Sequence, residues 1–286
     1  MSNDQQQVLW QAGRFGIDLS RPRVMGIVNV TPDSFSDGGR HAGPGAALAH
    51  AEALLREGAD ILDIGAESTR PGAQAPGADE ELSRLLPVLR EAVRLGCPVS
   101  VDTSEPRVIA EALALGVDII NDVRALRRPG ALEAVRADAR CGICLMHMQG
   151  EPQHMQIDPR YQDVVSEVSD FLAQRRNHLS ENGIALSRLV LDPGFGFGKT
   201  LEHNLSLTRA LPRLSRELGL PLLVGWSRKG TLGHLTGRPV DQRQSASVAA
   251  ALACVAQGAS ILRVHDVAAT VDALKVWAAL GPTPKE

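Results

Sequence analysis

Short apolar runs alternate with longer stretches of helical spacing along almost the whole chain. The apolar runs are rich in Val, Ile and Leu and show little strict alternation, which is typical of strands buried on both faces. They predict eight strands, at Val24–Val30, Ile61–Ile64, Val99–Val101, Asp118–Ile120, Gly142–Met146, Leu189–Leu191, Leu222–Val224 and Ile261–Val264. The stretches between them predict helices, at Ala46–Glu57, Asp79–Leu95, Pro106–Leu115, Ala131–Ala139, Tyr161–Asn182, Glu202–Leu218, Ser245–Gln257 and Val267–Leu280.

Glycine marks the ends of several predicted helices. Gly58, Gly116, Gly219 and Gly258 each follow a helical stretch and lead directly into a predicted strand, and glycine commonly ends helices because it adopts the left-handed conformation. This repeated helix–Gly–strand return within 286 residues predicts the α/β class, as a (β/α)₈ TIM barrel in a single domain. A doubly wound open sheet is the alternative. We expect the barrel over residues 21–282, after an N-terminal extension over residues 1–20.

Polar residues stand at the end of each predicted strand. They are Asn29, Asp63, Asp102, Asn121, His147, Asp192, Ser227 and His265. One such residue commonly caps the next helix, but eight together predict a ligand site, because barrel chemistry lies at the carboxyl ends of the strands. Asp63, Asp102 and Asp192 fall inside apolar runs, where an unpaired carboxylate is costly. They therefore predict a ligand rich in N–H groups.

Basic residues are also concentrated on the predicted rim loops. They are Arg70, Lys199, Arg228, Lys229, Arg263 and His265. Cations near helix N-termini suit a phosphate or carboxylate ligand. Lys199 and Arg228 fit equally well as solvated surface charges, whereas Arg263 and His265 emerge from the last buried strand. The glycine-rich segment 194–200 has proline rather than glycine at position 193, so it is no phosphate-binding P-loop.

The overall composition excludes several classes of protein. With 30 Lys+Arg against 33 Asp+Glu, the chain has no general attraction to nucleic acid or to anionic membranes. No apolar stretch reaches the ~20 residues that span a bilayer, and residues 1–7 are polar, unlike a signal peptide. Four cysteines in this length are no disulfide framework, and Cys141 and Cys144 on one strand should point to opposite faces. We expect a soluble, cytoplasmic protein.

Three segments carry a resemblance to a known family. Met25–Gly39, Asp63–Gly72 and Leu191–Lys199 resemble the first loop, the second loop and the sixth strand end of the dihydropteroate synthase family, in that family's order. Shorter pieces extend the resemblance from Pro22 to Trp277. It implies an enzyme, a transferase of folate biosynthesis that binds pterin in a TIM barrel. Sulfonamides would be its inhibitors.

The resemblance also implies a reaction. 6-Hydroxymethyl-7,8-dihydropterin diphosphate binds in the barrel mouth, and the amine of para-aminobenzoate displaces its diphosphate. The products are 7,8-dihydropteroate and pyrophosphate, with Mg²⁺ as the cofactor. The route implied is SN1-like, because electron density from the pterin ring can stabilise a cation at the reacting carbon.

Residue roles follow from the same resemblance. The pterin is expected to bind Asp102, Asn121, Asp192 and Lys229. The aminobenzoate is expected to bind Phe35, Thr69, Arg70, Pro71, Phe195 and Ser227. Asn29, Arg263 and His265 should hold the diphosphate, with Asn29 also the ligand of the metal. The catalytic set is Asp33, Arg70, Lys229, Arg263 and His265.

Some features leave alternatives open. Trp226 stands where a smaller residue is usual, and Gly230 where a serine is frequent, both beside the expected aminobenzoate site. The family is usually dimeric, and Val271, Leu274 and Trp277 form a plausible apolar interface stripe, or alternatively barrel-facing core. Two rival functions are a methyltetrahydrofolate–corrinoid methyltransferase and an inactive pterin-binding protein. The diphosphate residues and both loops argue against them.

Overall fold

The strands give the fold its frame. In the computed structural model, which describes residues 9–30, 43–67 and 76–281, they are β1 (Leu9–Ala12), β2 (Phe15–Asp18), β3 (Arg23–Asn29), β4 (Ile61–Gly65), β5 (Val99–Asp102), β6 (Ile119–Asp122), β7 (Gly142–Met146), β8 (Leu189–Asp192), β9 (Leu223–Val224) and β10 (Ile261–Val264). β3 to β10 form one parallel sheet in the order β8-β7-β6-β5-β4-β3-β10-β9. A parallel bridge between Leu191 and Leu222 joins its two edges. The predicted barrel is confirmed.

Helices follow the strands around the outside. They are α1 (Pro44–Arg56), α2 (Ala78–Ala92), α3 (Pro106–Ala114), α4 (Ala131–Arg136), α5 (Val164–Glu181), α6 (Leu201–Arg209), α7 (Leu211–Leu218), α8 (Gly230–Thr236), α9 (Gln244–Ala256) and α10 (Val267–Leu280). The single helix predicted over Glu202–Leu218 is wrong, because it breaks at Ala210 into α6 and α7. Pro212 lies in the first turn of α7, where proline is tolerated, but it lacks the N–H that a continuous helix needs. In the part of the chain that the structure describes, no helix could cross a membrane.

A hairpin closes the amino-terminal end of the barrel, where the sequence predicted only an extension. β1 and β2 pair antiparallel, and Trp10 is buried with its indole N–H donating to the Arg188 carbonyl at 2.8 Å. A Cβ added to Gly142 would come within 3.1 Å of both Trp10 and Ala12. The hairpin thus packs directly on the floor of the barrel, while a domain boundary at residue 20 stays a prediction.

The barrel interior changes from apolar to polar within two residues along its strands. Ile61, Ile119, Val190 and Ile261 belong to the buried apolar cluster above the hairpin. Two residues further along the same strands stand Asp63, Asn121, Asp192 and Arg263. Since side chains two apart on a strand share a face, the polar set lies in the layer above, toward the carboxyl ends. The fold therefore collects the polar residues at one end of the barrel.

The cysteines follow the two faces predicted for β7. Cys141 is buried in the main core between barrel and helices, and Cys144 is buried in the barrel interior. All four cysteines are free thiols. Burial raises the pKa of the Cys141 thiol to about 11, so this thiol is protonated and unreactive at neutral pH.

Candidate functional site

Arg263 lies at the centre of the polar layer. Its Nε donates to Asp63 Oδ2 at 2.6 Å and its Nη2 to Asp102 Oδ2 at 2.8 Å. Asn121 Nδ2 also donates to Asp63 Oδ2, at 3.2 Å. Two carboxylates neutralise one guanidinium, which lowers the cost of burying all three charges. Within the described ranges no residue accepts a hydrogen bond from Nη1 of Arg263. The N–H groups of this nitrogen can therefore donate to a bound anion.

The carboxylates of this layer are largely shielded from solvent. Burial raises the pKa of Asp192 to about 6, against the lowering effect of the Gly194 N–H and the neighbouring lysines. Burial also raises the pKa of Asp102 to about 7, although the positive charge of Arg263 opposes it. Asp192 Oδ1 accepts the Gly194 N–H at 2.7 Å. Groups in this state gain most from a ligand that donates N–H hydrogen bonds to them.

Lys229 and Phe197 form the next part of the site. Nζ of Lys229 lies 4.0 Å from the centre of the Phe197 ring, a cation–π contact. Burial and the nearby Arg263 charge lower the pKa of Lys229 to about 8. Phe195, by contrast, is buried in the main core against Trp226, with ring centres 5.1 Å apart. Phe197 is thus a site residue that the sequence analysis did not assign, and the substrate role of Phe195 stays a prediction.

Lys199 is not a surface charge, and that interpretation is wrong. Its side chain is only 3% exposed, and Nζ donates to the carbonyls of Gly194 at 2.9 Å and Phe197 at 3.0 Å. Nζ also lies 2.9 Å from Nδ1 of His147. Burial lowers the pKa of Lys199 to about 7 and that of His147 to about 2. Lys199 therefore holds the glycine-rich turn that carries Phe197, with the neutral imidazole as one of its acceptors.

The loops after β9 and β10 meet through two consecutive pairs. Ser227 Oγ lies 3.1 Å from the backbone N and 3.0 Å from Nδ1 of His265. Arg228 binds Asp266 through Nε at 3.1 Å and Nη2 at 2.6 Å. Arg228 has a φ of +59°, which costs a non-glycine residue about 1–2 kcal/mol. This strained turn aims Ser227 at His265, and Arg228 is a partly exposed structural cation.

Arg124 connects four loops at the barrel mouth, and no pattern in the sequence predicted this role. Its guanidinium donates to Glu67 Oε1 at 3.1 Å, Glu151 Oε2 at 3.0 Å and Ser104 Oγ at 3.1 Å. The next two residues, Ala125 and Leu126, have φ values of +53° and +54°. Two successive left-handed residues without glycine store strain that the surrounding contacts must offset. No local pattern identifies Arg124, because its partners lie 20 to 57 positions away.

Replacing Arg124 with Met should lower the free energy of unfolding by about 3 kcal/mol, because removing one member of a buried ion pair leaves the other charge uncompensated. Urea unfolding measures this change. Arg128→Met is the matched control: its pair with Glu105 is about one-third exposed, and such a pair contributes at most ~1 kcal/mol. Equal losses in the two variants would show that the Arg124 network adds no special stability.

The structure brings most of the predicted site residues to one place. Asp102, Asn121, Asp192, Lys229, Arg263, Ser227 and His265 all lie at the carboxyl end of the barrel. Asn29 ends β3 at the same rim, where its strand neighbour Gly65 in turn pairs with Asp102. Five predicted residues lie outside the described ranges: Asp33, Phe35, Thr69, Arg70 and Pro71. Their roles stay predictions.

Known proteins resemble this chain over nearly its whole length. The family model described as "Pterin binding enzyme" matches residues 25–265. A curated relative, dihydropteroate synthase of Neisseria meningitidis serogroup B, is 58% identical over 96% of this chain and 98% of the relative.

Solved structures show the same likeness. Xanthomonas albilineans dihydropteroate synthase with 4-aminobenzoic acid has a TM-score of 0.92 and 52% identity, covering 98% of this chain and 100% of that chain. The Yersinia pestis dihydropteroate synthase in a sulfonamide drug complex has a TM-score of 0.90 and 47% identity, covering 95% and 98%.

Proposed function

The chain belongs to the pterin-binding enzyme family, among the dihydropteroate synthases, and from this premise we propose how its site performs the reaction. The resemblance found in the sequence is confirmed by these relatives. The enzyme condenses 6-hydroxymethyl-7,8-dihydropterin diphosphate with para-aminobenzoate to give 7,8-dihydropteroate and pyrophosphate. The observation that carries the proposal is an acidic and amide layer hydrogen-bonded to Arg263, which stands two residues before His265.

The acidic side of the layer binds the pterin ring. Asp192, Asp102 and Asn121 accept and donate hydrogen bonds along the edge of the ring that carries its N–H groups. Lys229 donates to the ring carbonyl and nitrogen on the other side. The Phe197 ring beside Lys229 Nζ shields this ammonium from water. The three carboxylates of Asp63, Asp102 and Asp192 lie near three cations, Arg263, Lys229 and Lys199. A neutral ring can therefore bind there without leaving a large net charge buried.

The basic side of the layer holds the leaving group. As diphosphate departs, negative charge grows on its oxygens, and fixed donors in a dry site stabilise such charge strongly. Arg263 supplies guanidinium N–H groups whose direction is set by Asp63 and Asp102. His265 adds an imidazole donor. The departure of diphosphate before attack by the amine, an SN1-like order, needs this clamp and the exclusion of water.

Mg²⁺ fits this donor set as a cofactor that enters with the substrate. Within the described ranges no group of three or more His, Cys, Asp or Glu side chains could hold a metal, and Mg²⁺ commonly uses one or two protein oxygens together with phosphate oxygens. Asn29, at the end of β3, offers a neutral amide oxygen at the rim. The ion would neutralise charge on the diphosphate, while Arg263 and His265 bind and orient it.

The aminobenzoate site lies beside the pterin in this proposal. Ser227 and Phe197 contribute from the described residues, and the roles of Asp33, Phe35, Thr69, Arg70 and Pro71 rest on the family resemblance. Sulfonamides would compete for the same place, and the Yersinia pestis dihydropteroate synthase forms a complex with a sulfonamide drug. Trp226, buried against Phe195, shapes the wall behind it.

We also propose a homodimer in the cytoplasm. Val271 and Leu274 pack against the barrel core, so only part of the predicted stripe is free. Val276, Trp277 and Leu280 are exposed on α10, and they offer an apolar face to a second copy. The four free thiols support a reducing compartment.

Pyrophosphate release tests the proposed reaction. The purified protein should release pyrophosphate only when pterin diphosphate, para-aminobenzoate and Mg²⁺ are all present, because the diphosphate clamp, the amine and the charge-neutralising ion are each needed. A coupled pyrophosphate assay with each component omitted in turn measures this. The proposal would be contradicted if the complete mixture released no pyrophosphate while a related dihydropteroate synthase, assayed as a positive control, was active.

A further inference from the structure

The Ser227 hydroxyl contacts the imidazole of His265. His265 could bind an anion without this contact. Ser227 is buried, only 6% exposed, and His265 is half-buried. The Arg228–Asp266 ion pair next to them fixes the two loops relative to each other. The serine hydroxyl therefore meets the imidazole in one defined geometry.

The donors and acceptors around Ser227 favour one direction for this hydrogen bond. Ser227 Oγ accepts the backbone N–H of His265 at 3.1 Å. Its own hydrogen then needs an acceptor, because buried hydroxyls are almost always satisfied. Among the residues described by the structure, Nδ1 of His265, at 3.0 Å, is the one acceptor that the hydroxyl reaches. A hydroxyl that donates to Nδ1 in this way places the ring proton on Nε2.

We propose that Ser227 is a positioning residue of the synthase reaction, which holds His265 in its Nε2–H tautomer so that the ring donates this hydrogen to the departing diphosphate. This inference rests on the proposed function and adds a role to a residue otherwise assigned to the aminobenzoate. A neutral imidazole has a single N–H. With that proton on Nδ1, the ring would turn a lone pair toward an anion.

The electrostatic setting makes the choice of tautomer matter. Burial and the positive charges of Arg263 and Arg228 lower the pKa of His265 to about 3, against the opposing charge of Asp266. Before the anion binds, the ring is therefore neutral at neutral pH and has a single N–H to donate. When a partner that fixes the tautomer of a metal-ligating histidine is removed, affinity or activity commonly falls 10- to 100-fold. We expect Ser227→Ala to lower kcat/KM for pterin diphosphate by about 10- to 100-fold.

Nitrogen NMR reads the tautomer directly. Long-range ¹H–¹⁵N spectra of the protein labelled at histidine, with His265 assigned through His265→Gln, should show Nδ1 unprotonated and Nε2 protonated in the wild type. Ser227→Ala should move protonation toward Nδ1, and Ser227→Thr, which keeps the hydroxyl, should restore the wild-type pattern. Ser169→Ala is the matched control, because Ser169 is equally buried on the outer helix α5 and donates to Glu217.

The kinetics separate this role from a contact with the second substrate. A positioning role lowers kcat/KM for pterin diphosphate in Ser227→Ala at saturating aminobenzoate, over and above any rise in the KM for aminobenzoate, and this loss is recovered with threonine. The proposal is overturned by a wild-type spectrum with Nδ1 protonated, by an unchanged tautomer in Ser227→Ala, or by a change confined to the aminobenzoate KM. If Ser227→Ala does not fold, a wild-type spectrum with Nδ1 protonated still overturns the proposal, and Ser227→Val, which keeps the size of threonine without its hydroxyl, takes the place of the alanine variant. Inactive wild-type protein would count against the proposed function, while the tautomer remains measurable.

Discussion

Replacing Arg263 with Met should lower kcat by about a thousandfold, the largest loss that we expect from any single change. Removing one preorganised donor to a developing negative charge commonly costs 10²–10³ in rate, and Arg263 has several N–H groups. The same change leaves Asp63 and Asp102 without their cation. Two unpaired carboxylates would then repel the diphosphate as well, so the loss should lie at the upper end of this range.

The kinetic loss must be separated from a loss of stability. Pyrophosphate release at saturating substrates gives kcat, and thermal unfolding of each variant gives the folded fraction. Arg209→Met is the control, since its pair with Glu202 is about 70% exposed and should leave the rate unchanged. A folded Arg263→Met protein with kcat within about threefold of wild type would remove Arg263 from the leaving-group clamp.

Replacing Asp192 with Asn should weaken binding of the pterin ring by about a hundredfold. A hydrogen bond to a charged group is worth about 1.5–3 kcal/mol, and the amide would also point an N–H at ring donors. Isothermal titration with 6-hydroxymethylpterin, which lacks the diphosphate, isolates this effect. Asp272→Asn, on the exposed face of α10, should bind like wild type. Equal affinity of Asp192→Asn and wild type would place the pterin elsewhere.

The pH dependence of the same titration identifies the group. Burial raises the pKa of Asp192 to about 6, and the charged form is the one that accepts the ring N–H groups. Wild-type affinity should therefore fall as the pH drops through about 6, in addition to the fall near pH 7 that protonation of Asp102 contributes. The amide introduced by Asp192→Asn has no proton to gain, so the variant should lose this dependence around pH 6. A fall of equal size in both would assign the pH effect to another group.

The barrel fold and most of the candidate site could be predicted from local sequence patterns. Buried parallel strands give continuous apolar runs, and an Asp or Asn inside such a run, as at Asp63 and Asn121, is conspicuous. Because all strands of a barrel run the same way, their polar ends meet at one rim. The predicted cluster of Asp102, Asn121, Asp192, Lys229 and Arg263 lies together for that reason.

The remaining features depend on contacts between distant parts of the chain. Asp63 and Arg263 are 200 positions apart, and no local pattern states that they pair. Lys199 resembles a surface lysine until the turn after β8 folds its carbonyls around it. Phe195 and Phe197 alternate with glycine in the same loop, so the sequence does not distinguish their environments. In the tertiary structure Phe195 packs in the main core, whereas Phe197 contacts Lys229. The hairpin at Trp10 has strands of four residues, too short for their alternation to be distinctive.

A crystal structure with 6-hydroxymethylpterin diphosphate and Mg²⁺ would place both halves of the substrate in the barrel at once. We predict that the ring edge binds Asp192 and Asn121, with Lys229 on its carbonyl. The diphosphate should lie within hydrogen-bond distance of Arg263 and of Nε2 of His265. A complex with the ring at this end of the barrel and the diphosphate away from both basic residues, or with the ring outside the acidic layer, would contradict the mechanism proposed for this chain.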